Sequence, residues 1–377
     1  METRHEIRMM TPATVVVVAF MVIGFAAGLY RLIFGLGAAT NLSDLWPWGL
    51  WIGIDVMGGV AVAAGGFMIA SAVYVFNLKK YRVIVRPAVL TAFIGYLLAI
   101  IALFLDIGHP FRLYHPAIMW QINSIMFVVA IHVILYTTVL AMEFSPMLFE
   151  RLKLRAAYDF MQKIMVPVVI FGALLSLLHQ SSLGALYLIV PGKLHPLWYS
   201  AALPYLFLLS ALMMGFSMVS FESILSSKAF KHRIPSEVIH GLARGSVVVI
   251  GLYLAVKLWL LAAGPGVGAA FDGSLAANMY LLEMVLGVIA PLAMLSMKHM
   301  RRSREGFFSV NMLVIVGVLI NRLNVCVFGM GEQALLRGGD YFPSWMEFAV
   351  TLGLISLAVF VFKLAARHLA LFPETES

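Results

Sequence analysis

The residues of this chain best suited to chemistry are ionisable side chains that lie inside long apolar segments. They are Asp55, Asp106, His132, Glu143, His179, Glu222, Lys257, Glu283, Arg322 and Glu347. A charge within a bilayer is costly, so each of these groups is a candidate for proton exchange or for hydrogen bonding to a polar ligand. The competing interpretation is that they pair with one another for structure or extend to the membrane surface.

The segments that must position these groups are predicted to be transmembrane helices. The chain has 377 residues, of which 62% are hydrophobic and 12% charged, whereas a soluble domain would be about one quarter charged. Apolar runs of about twenty residues are long enough to cross a bilayer. We predict an all-α integral membrane protein that forms a single polytopic domain over residues 1–377. The ten predicted spans are 13–36, 47–76, 88–107, 122–145, 163–183, 199–225, 243–263, 275–298, 308–328 and 344–366.

The basic residues predict the orientation of these spans. Twenty of the 26 Lys and Arg residues lie before the first span, after the last, or in every second connection between spans. They are Arg4, Arg8, Lys79, Lys80, Arg82, Arg86, Arg151, Lys153, Arg155, Lys163, Lys228, Lys231, Arg233, Arg244, Lys298, Arg301, Arg302, Arg304, Lys363 and Arg367. The positive-inside rule predicts that both termini are cytoplasmic. The first span is longer than the apolar core of a signal peptide and contains Arg31, so we expect it to be an uncleaved anchor. This alternation also means that the net charge of +8 does not indicate a nucleic-acid partner.

Two classes of depth follow from this topology. Asp55, Asp106, His179, Lys257, Glu283, Arg322 and Glu347 lie toward the outer face, Glu143 and Glu222 lie near the cytoplasmic ends, and His132 lies near mid-membrane. Asp55 is expected either to pair with Arg322 or Lys257 or to contact a ligand headgroup. Asp106 suits a turn or cap as well as chemistry, since it is placed at the mouth of its helix.

Three further groups have open alternatives. The run His179-Gln180-Ser181-Ser182 could bind a polar headgroup or cap a helix end, and Glu283 with Arg322 is expected to form a functional polar pocket. Glu143 and Glu222 could form interfacial salt bridges or admit protons from the cytoplasm. In an outer loop, Lys193, His195 and Trp198 could contact a partner subunit.

Several cofactors and classes of protein are disfavoured. Cys326 is the only cysteine, so the chain cannot hold a thiolate-bound zinc ion or iron–sulfur cluster alone. Bis-histidine haem needs two histidines at one depth, and His132 and His179 are expected to differ by two turns or more. No nucleotide-binding or metalloprotease motif occurs. The absence of Gly/Pro-broken helices in matching halves weakens a transporter.

Sequence blocks spread from the first predicted span to the tenth carry a family resemblance. The first are Phe34-Gly35-Leu36-Gly37, Trp46-Pro47-Trp48-Gly49-Leu50-Trp51-Ile52-Gly53-Ile54-Asp55, Tyr74-Val75-Phe76-Asn77, Val85-Arg86-Pro87-Ala88 and Glu143-Phe144-Ser145-Pro146 with Leu148-Phe149-Glu150. The others are His179-Gln180-Ser181-Ser182-Leu183-Gly184, His195-Pro196-Leu197-Trp198, Gly215-Phe216-Ser217 with Phe221-Glu222, and Tyr341-Phe342-Pro343-Ser344-Trp345. With these blocks the chain resembles the NrfD-like membrane subunits, which include the polysulfide-reductase subunit. It looks closest to the branch with the HybB-type subunit of periplasmic nickel–iron hydrogenases and the related subunit of high-molecular-weight cytochrome c complexes.

The resemblance implies NrfD-like helical bundles and a haem-free subunit in the bacterial inner membrane. Such a subunit passes electrons between the quinone pool, as menaquinone or ubiquinone, and a ferredoxin-like subunit with four-iron clusters on the periplasmic face. Hydrogenase or multihaem cytochrome c subunits would complete the complex, and the chain alone would be inactive. The alternative is a passive anchor for such a complex. A proton or solute transporter ranks third.

The resemblance implies that Asp55, His179 and the polar outer ends of neighbouring helices bind the quinone, and that Glu143 and Glu222 move protons. From this and the buried charges described above, we predict a quinone site formed by Asp55, His179, Gln180, Ser181, Asp106, Asn123, Glu283 and Arg322, and a proton path through Glu143, Glu222 and His132. The chain departs from the hydrogenase branch after Asn123-Ser124-Ile125-Met126-Phe127, where Val128 stands in place of a glutamate. His132 lies four residues further, on the same helix face, and could substitute for it.

Overall fold

Ten long helices run through the part of the chain that the structure, a computed structural model, describes: residues 9–190, 192–230, 232 and 234–372. They are α1 (Pro12–Phe34), α2 (Trp51–Val75), α3 (Lys79–Asp106), α4 (Ile125–Arg151), α5 (Arg155–Ile189), α6 (Leu203–Phe230), α7 (Ser236–Ala263), α8 (Leu275–Ser296), α9 (Arg304–Leu336) and α10 (Trp345–His368). All ten are long and apolar enough to cross a membrane. The described residues are 81% helical and contain no strand, so the predicted fold class is confirmed. Arg4, Arg8, Lys231 and Arg233 lie outside the described residues.

The helices extend further than the predicted spans at the end of the bundle that carries the basic connections, here called the basic end. Helix α3 begins at Lys79 instead of 88, α7 begins at Ser236 instead of 243, and α4 continues to Arg151. Charged side chains end an apolar run in the sequence, but they do not end a helix, because their head groups reach water while the backbone stays helical. The other end of the bundle is called the distal end.

The helices form two four-helix bundles that share an interface. Helices α2–α5 contact one another in a closed ring, and α6–α9 do the same. Helix α2 also packs against α6 and α9, and α5 packs against α6, which joins the two bundles. Helix α1 lies outside both bundles and packs along α10, which contacts α3.

Three helices contain π-helical segments next to buried charges. In α2 the segment Trp51–Gly58 contains Asp55, in α8 the segment Val285–Ile289 follows Glu283, and in α9 the segment Asn324–Phe328 follows Arg322. π-helical segments are rare in proteins, and those that do occur are often found at functional sites. The apolar runs predict helices here but do not distinguish π-helical from α-helical turns. Each segment stays within a continuous helix, so it is not one of the Gly/Pro-broken helices whose absence disfavours a transporter.

Glycine allows the closest helix contact in the second bundle. A Cβ atom added to Gly287 of α8 would lie 2.8 Å from the Cα atom of Gly317 in α9. A methyl group on Gly317 would in turn overlap the Gly287 backbone. The contact sets the separation of the two helices that carry Glu283 and Arg322, because small residues let helix backbones approach within a membrane.

We therefore expect Gly317→Ala to destabilise the protein by about 1–3 kcal/mol, as overpacking does. The matched control is Gly251→Ala in α7, where an added Cβ meets no atom within 4 Å. Thermal unfolding of both variants in the same detergent measures the difference. Equal melting temperatures for the two variants would contradict the close contact.

Candidate functional site

The carboxylate of Glu283 is the most fully bonded buried charge in the described part of the chain. Its two oxygens accept five hydrogen bonds, from Trp198, Tyr253, Lys257, Asn321 and Asn324. The Lys257 Nζ atom lies 2.9 Å from Oε1, and both side chains are almost fully buried. A carboxylate with this many donors is held as a fixed anion, because each lone pair already has a partner.

Arg322 joins this group without pairing with a carboxylate among the described residues. Its Nη1 donates to Asn321 Oδ1 at 3.0 Å, and Asn321 Nδ2 donates to Glu283 at 2.9 Å. Its Nη2 donates to Ser210 Oγ at 2.9 Å and to the Phe207 carbonyl oxygen at 3.3 Å. We call Ser210 and Arg322, together with Glu283 and its five donors, the Glu283 network. The predicted polar pocket of Glu283 and Arg322 is thus a hydrogen-bonded network that carries one net positive charge. Within it, Arg322 Nε and Asn324 Oδ1 are buried without a partner among the described residues.

A second group of charges lies at the distal end, between α1, α2, α3 and α10. It consists of Arg31, Asp55, Asp106 and Glu347, which we call the acidic cluster. All four side chains are buried, with Asp55 8% and Asp106 9% exposed. Asp106 lies within Coulombic range of the other three. Three carboxyl groups and one guanidinium are therefore gathered where α3 ends.

Within this cluster the partners are unequal. Glu347 caps α10 with Ser344 and accepts a 2.6 Å hydrogen bond from the Tyr341 hydroxyl. Arg31 Nη2 donates to the Ile107 carbonyl oxygen at 2.6 Å, but its Nε atom has no partner. The Oδ1 atom of Asp106 is also buried without a partner among the described residues, so this oxygen makes neither the turn nor the cap bond considered for the side chain.

Asp55 contacts neither cation that the sequence suggested for it. Its Oδ2 atom accepts a 2.6 Å hydrogen bond from the Thr351 hydroxyl of α10. Lys257 pairs with Glu283, and Arg322 is bonded within the same network. The predicted ion pair of Asp55 with Lys257 or Arg322 is therefore wrong, because both cations lie in the second bundle with partners of their own.

His179 lies deeper than predicted and beside His132. Helix α5 continues to Ile189, and α4 begins only at Ile125, so both imidazoles lie well inside their helices. Their ring centroids are 6.2 Å apart. The predicted difference of two turns in depth is wrong, and so is a helix-end cap role for His179. Both ring nitrogens of His179 are buried without a partner.

The two histidines do not fit a haem in this packing. His132 Nδ1 lies 3.3 Å from Ser182 Oγ, a side chain of the helix that carries His179. On the other side, the Tyr96 ring lies 5.7 Å from the His179 ring. A porphyrin would have to separate α4 from α5, which pack directly against each other. The two histidines therefore lie at a similar depth, contrary to the prediction, but their direct packing leaves no space for a haem between them.

A line of buried polar atoms continues from His179 toward the basic end. The rings of Tyr96 and Tyr136 are 4.8 Å apart. Glu143 follows Tyr136 by two turns of α4, and both side chains approach Gly172 of α5. We call the set Tyr96, His132, Tyr136, Glu143, Ser176 and His179 the histidine column. Its members with at least one unpartnered buried polar atom are Tyr96, Tyr136, Glu143, Ser176 and His179. Unpartnered polar atoms inside a protein are where buried water is found.

The two glutamates at the basic end make no ion pair with a described residue. Glu143 is 6% exposed and both of its oxygens lack partners, so the predicted interfacial salt bridge is wrong for it. Glu222 of α6 accepts a 2.6 Å hydrogen bond from the Thr91 hydroxyl of α3, and its Oε1 atom is buried without a partner.

The remaining predicted site residues are dispersed. Gln180 is buried and donates to the Val60 carbonyl oxygen at 3.0 Å, Ser181 is half-buried, and Asn123 is exposed before α4. Of the residues predicted to contact a partner, Lys193 is exposed and His195 lies 3.6 Å from Glu332.

Trp198 does not present its ring to a partner, because it is 2% exposed and donates to Glu283 at 2.9 Å. An apolar ring with one N–H donor can serve an internal carboxylate as well as a partner.

Several side chains of these groups were missed. Tyr96, Tyr136 and Thr351 are common residues within apolar runs, and nothing in the sequence marked them. Arg31 was noted only as a residue of the first span, although a basic side chain near the distal end of a helix departs from the charge pattern. Asn321 and Asn324, which flank Arg322, are the one signal that could have been used, since amides are costly in a membrane unless they are bonded.

The fold and the buried charges define a polytopic membrane protein with internal polar sites. It has two closed helical bundles, a helix pair outside them, and buried charges at π-helical segments. Residues 38–331 match the family of polysulphide reductase NrfD. Because this match covers most of the chain, the protein belongs to that family.

Relatives align along nearly the whole chain. A protein of Nitratidesulfovibrio vulgaris (strain Hildenborough) is 37% identical over 97% of this chain and 96% of its own length. The probable Ni/Fe-hydrogenase 2 b-type cytochrome subunit of Escherichia coli K12 is 32% identical over 91% of this chain and 88% of its own. The menaquinone reductase integral membrane subunit of Nitratidesulfovibrio vulgaris is 27% identical, over 94% and 91%.

The Glu283 network predicts a strong coupling between Lys257 and Glu283. We expect Lys257→Met to destabilise the protein by about 3–5 kcal/mol, because it leaves a buried carboxylate without its cation. The double variant Lys257→Met/Glu283→Gln should recover most of this loss, and exposed Lys163→Met is the control. Denaturant unfolding in detergent measures the stability of the unmodified protein and of these three variants. A double variant no more stable than Lys257→Met would refute the coupling.

Proposed function

We propose that this protein is the quinone-reactive membrane subunit of a respiratory oxidoreductase, and that the quinone headgroup binds at the acidic cluster. The observation that carries the proposal is the unmet hydrogen-bonding capacity there. The Arg31 Nε donor and the Asp106 Oδ1 acceptor are both buried without a partner among the described residues, and Asp106 lies within Coulombic range of Asp55. A buried polar group without a partner is costly, so such a cluster favours a polar ligand.

The chemistry of a quinone matches this mixture of donors and acceptors. Reduction adds two electrons and two protons, so that two carbonyl acceptors become two hydroxyl donors. Arg31 is suited to donate to a carbonyl oxygen, and Asp55 and Asp106 are suited to accept from a hydroxyl and to exchange its proton. Thr351 holds the Asp55 carboxyl in place for this exchange.

The relatives support the assignment of partners. One is named as a menaquinone reductase subunit and another as a hydrogenase subunit. We propose that a ferredoxin-like subunit with four-iron clusters docks at the distal end and exchanges electrons with the quinone. The quinone is menaquinone or ubiquinone, and the electron donor is a hydrogenase or a multihaem cytochrome c. The distal end then faces the periplasm of a bacterial inner membrane, with both termini in the cytoplasm.

The histidine column supports a proton route from the basic end. Its unpartnered atoms extend from Glu143 through Tyr136 and Tyr96 to His179, within the same bundle as Asp55. Water molecules hydrogen-bonded to these atoms would complete a proton-conducting chain. In this proposal His132 replaces the glutamate that is absent at Val128, and Glu222 with Thr91 is a second entry point for protons.

Asp55→Asn should abolish or greatly reduce electron transfer to quinone in the purified complex, because the amide cannot exchange a proton at that position. Electron transfer from the partner subunits to an artificial dye should remain. Asp44→Asn is the control, since Asp44 is exposed and precedes the same helix. Unchanged quinone-linked turnover in Asp55→Asn would favour the passive anchor. Substrate movement by the chain without redox partners would favour a transporter.

Glu143→Gln should lower proton uptake from the basic-end side by roughly tenfold or more, as loss of a positioned proton donor does. The assay uses the complex in proteoliposomes with a pH-sensitive dye on that side. Glu305→Gln, an exposed glutamate at the same end, is the control. Equal uptake by the two variants would contradict the proton route through Glu143.

A further inference from the structure

A cavity of about 190 Å³ opens at the distal end of the second bundle. It lies between residues 196–200, the end of α7 and Tyr280 of α8. One buried water needs roughly 10–15 Å³, so the cavity has room for a ring-sized group. It is smaller than the about 300–1,000 Å³ of sites that enclose whole drug-sized ligands. A headgroup whose tail stays in the lipid fits these dimensions.

Two hydrogen-bond donors line this cavity below the membrane surface. Lys257 is 4% exposed and lies six residues before the end of α7, about 9 Å along the helix. Only one hydrogen bond from its three N–H donors is formed with the described residues, to Glu283. Tyr280 is 3% exposed, and its hydroxyl makes no hydrogen bond with a described residue. The cavity is therefore lined by two buried side chains with donors that have no partner among the described residues.

The charges around the cavity favour a neutral oxygen acceptor over an anion. Glu283 already compensates the Lys257 charge at 2.9 Å. The carboxyl end of α7, at Leu260 to Gly264, lines the cavity and presents the negative end of a helix dipole. A phosphate or carboxylate would be repelled by the Glu283 carboxylate and by the negative end of the α7 dipole. A carbonyl oxygen would accept from Lys257 and Tyr280 without that repulsion.

The other walls suit a flat, apolar ring. Trp198 lies along one side of the cavity, and leucine side chains such as Leu206 and Leu261 complete the lining. Aromatic rings pack well in offset or edge-on contacts with tryptophan and tyrosine. A flat, conjugated ring that carries carbonyl oxygens combines the two requirements, and this is the chemistry of a quinone headgroup.

We propose that this cavity is a second quinone-headgroup site, separate from the one at the acidic cluster. It belongs to the other four-helix bundle, and no hydrogen bond between described residues joins Lys257 or Tyr280 to Asp55. The ligand class rests on the proposed function, while the cavity and its two donors do not. A bound quinone here would lie against the Glu283 network and would not need the Asp55 carboxyl.

The test is photolabelling of the purified complex with a short-chain azidoquinone, followed by mass spectrometry of the labelled peptides. Two labelled regions are expected, one near Asp55 and one in residues 196–200 or 275–284. Tyr280→Phe removes a hydroxyl that bonds to no described side chain, so the fold should be kept. It should weaken labelling of the second region by roughly fivefold, the effect of one hydrogen bond. Tyr205→Phe, at an exposed tyrosine of α6, is the control.

Ala263→Phe provides an independent variant, because its ring would occupy the cavity without replacing a member of the Glu283 network. It should abolish labelling of the second region and leave the first. Labelling only near Asp55 in the unmodified complex would overturn the second site and keep the proposed function. No specific labelling in either region would overturn both. Retention of a phospholipid in the cavity that azidoquinone does not displace would also overturn the proposal.

Discussion

The cost of an uncompensated charge inside a membrane is the constraint on which the arrangement of this protein depends. Each buried ionisable group must find partners, bind a ligand or give up its charge. Glu283 meets this cost in full, with five donors that include Lys257. Asp55 meets it only in part through Thr351, and Glu143 has no hydrogen-bond partner among the residues that the structure describes. Glu283, with five donors, therefore fixes structure, whereas Asp55 and Glu143 have oxygens that are available for chemistry.

The two bundles differ in how fully their buried polar groups are hydrogen-bonded. The Glu283 network ties α6, α7, α8 and α9 together through direct hydrogen bonds between side chains, and the glycine contact between Gly287 and Gly317 holds α8 against α9. The first bundle has no comparable network among its described residues, and its polar side chains form the loosely satisfied histidine column. A rigid second bundle and a first bundle with unmet polar atoms suit a division between positioning and proton transfer.

Helix number and type could be predicted from the sequence because they depend on length and hydrophobicity alone. Contacts between helices could not, since they depend on rotation and depth. An error of a few residues at the ends of α4 and α5 was enough to separate His132 from His179, which in fact lie side by side. The π-helical segment around Asp55 left no mark in an apolar run. Without its position, the pairing of Asp55 with a threonine and not with a cation could not be foreseen.

The central claim is that a quinone binds this chain and exchanges electrons with an iron–sulfur partner. The most direct measurement is to purify the tagged protein in a detergent mild enough to keep complexes intact, identify its partners by mass spectrometry and quantify the quinone extracted with it. We expect an iron–sulfur subunit and at least one quinone per copy of this chain. An intact complex that lacks quinone in repeated preparations, even after quinone is added back, would contradict it.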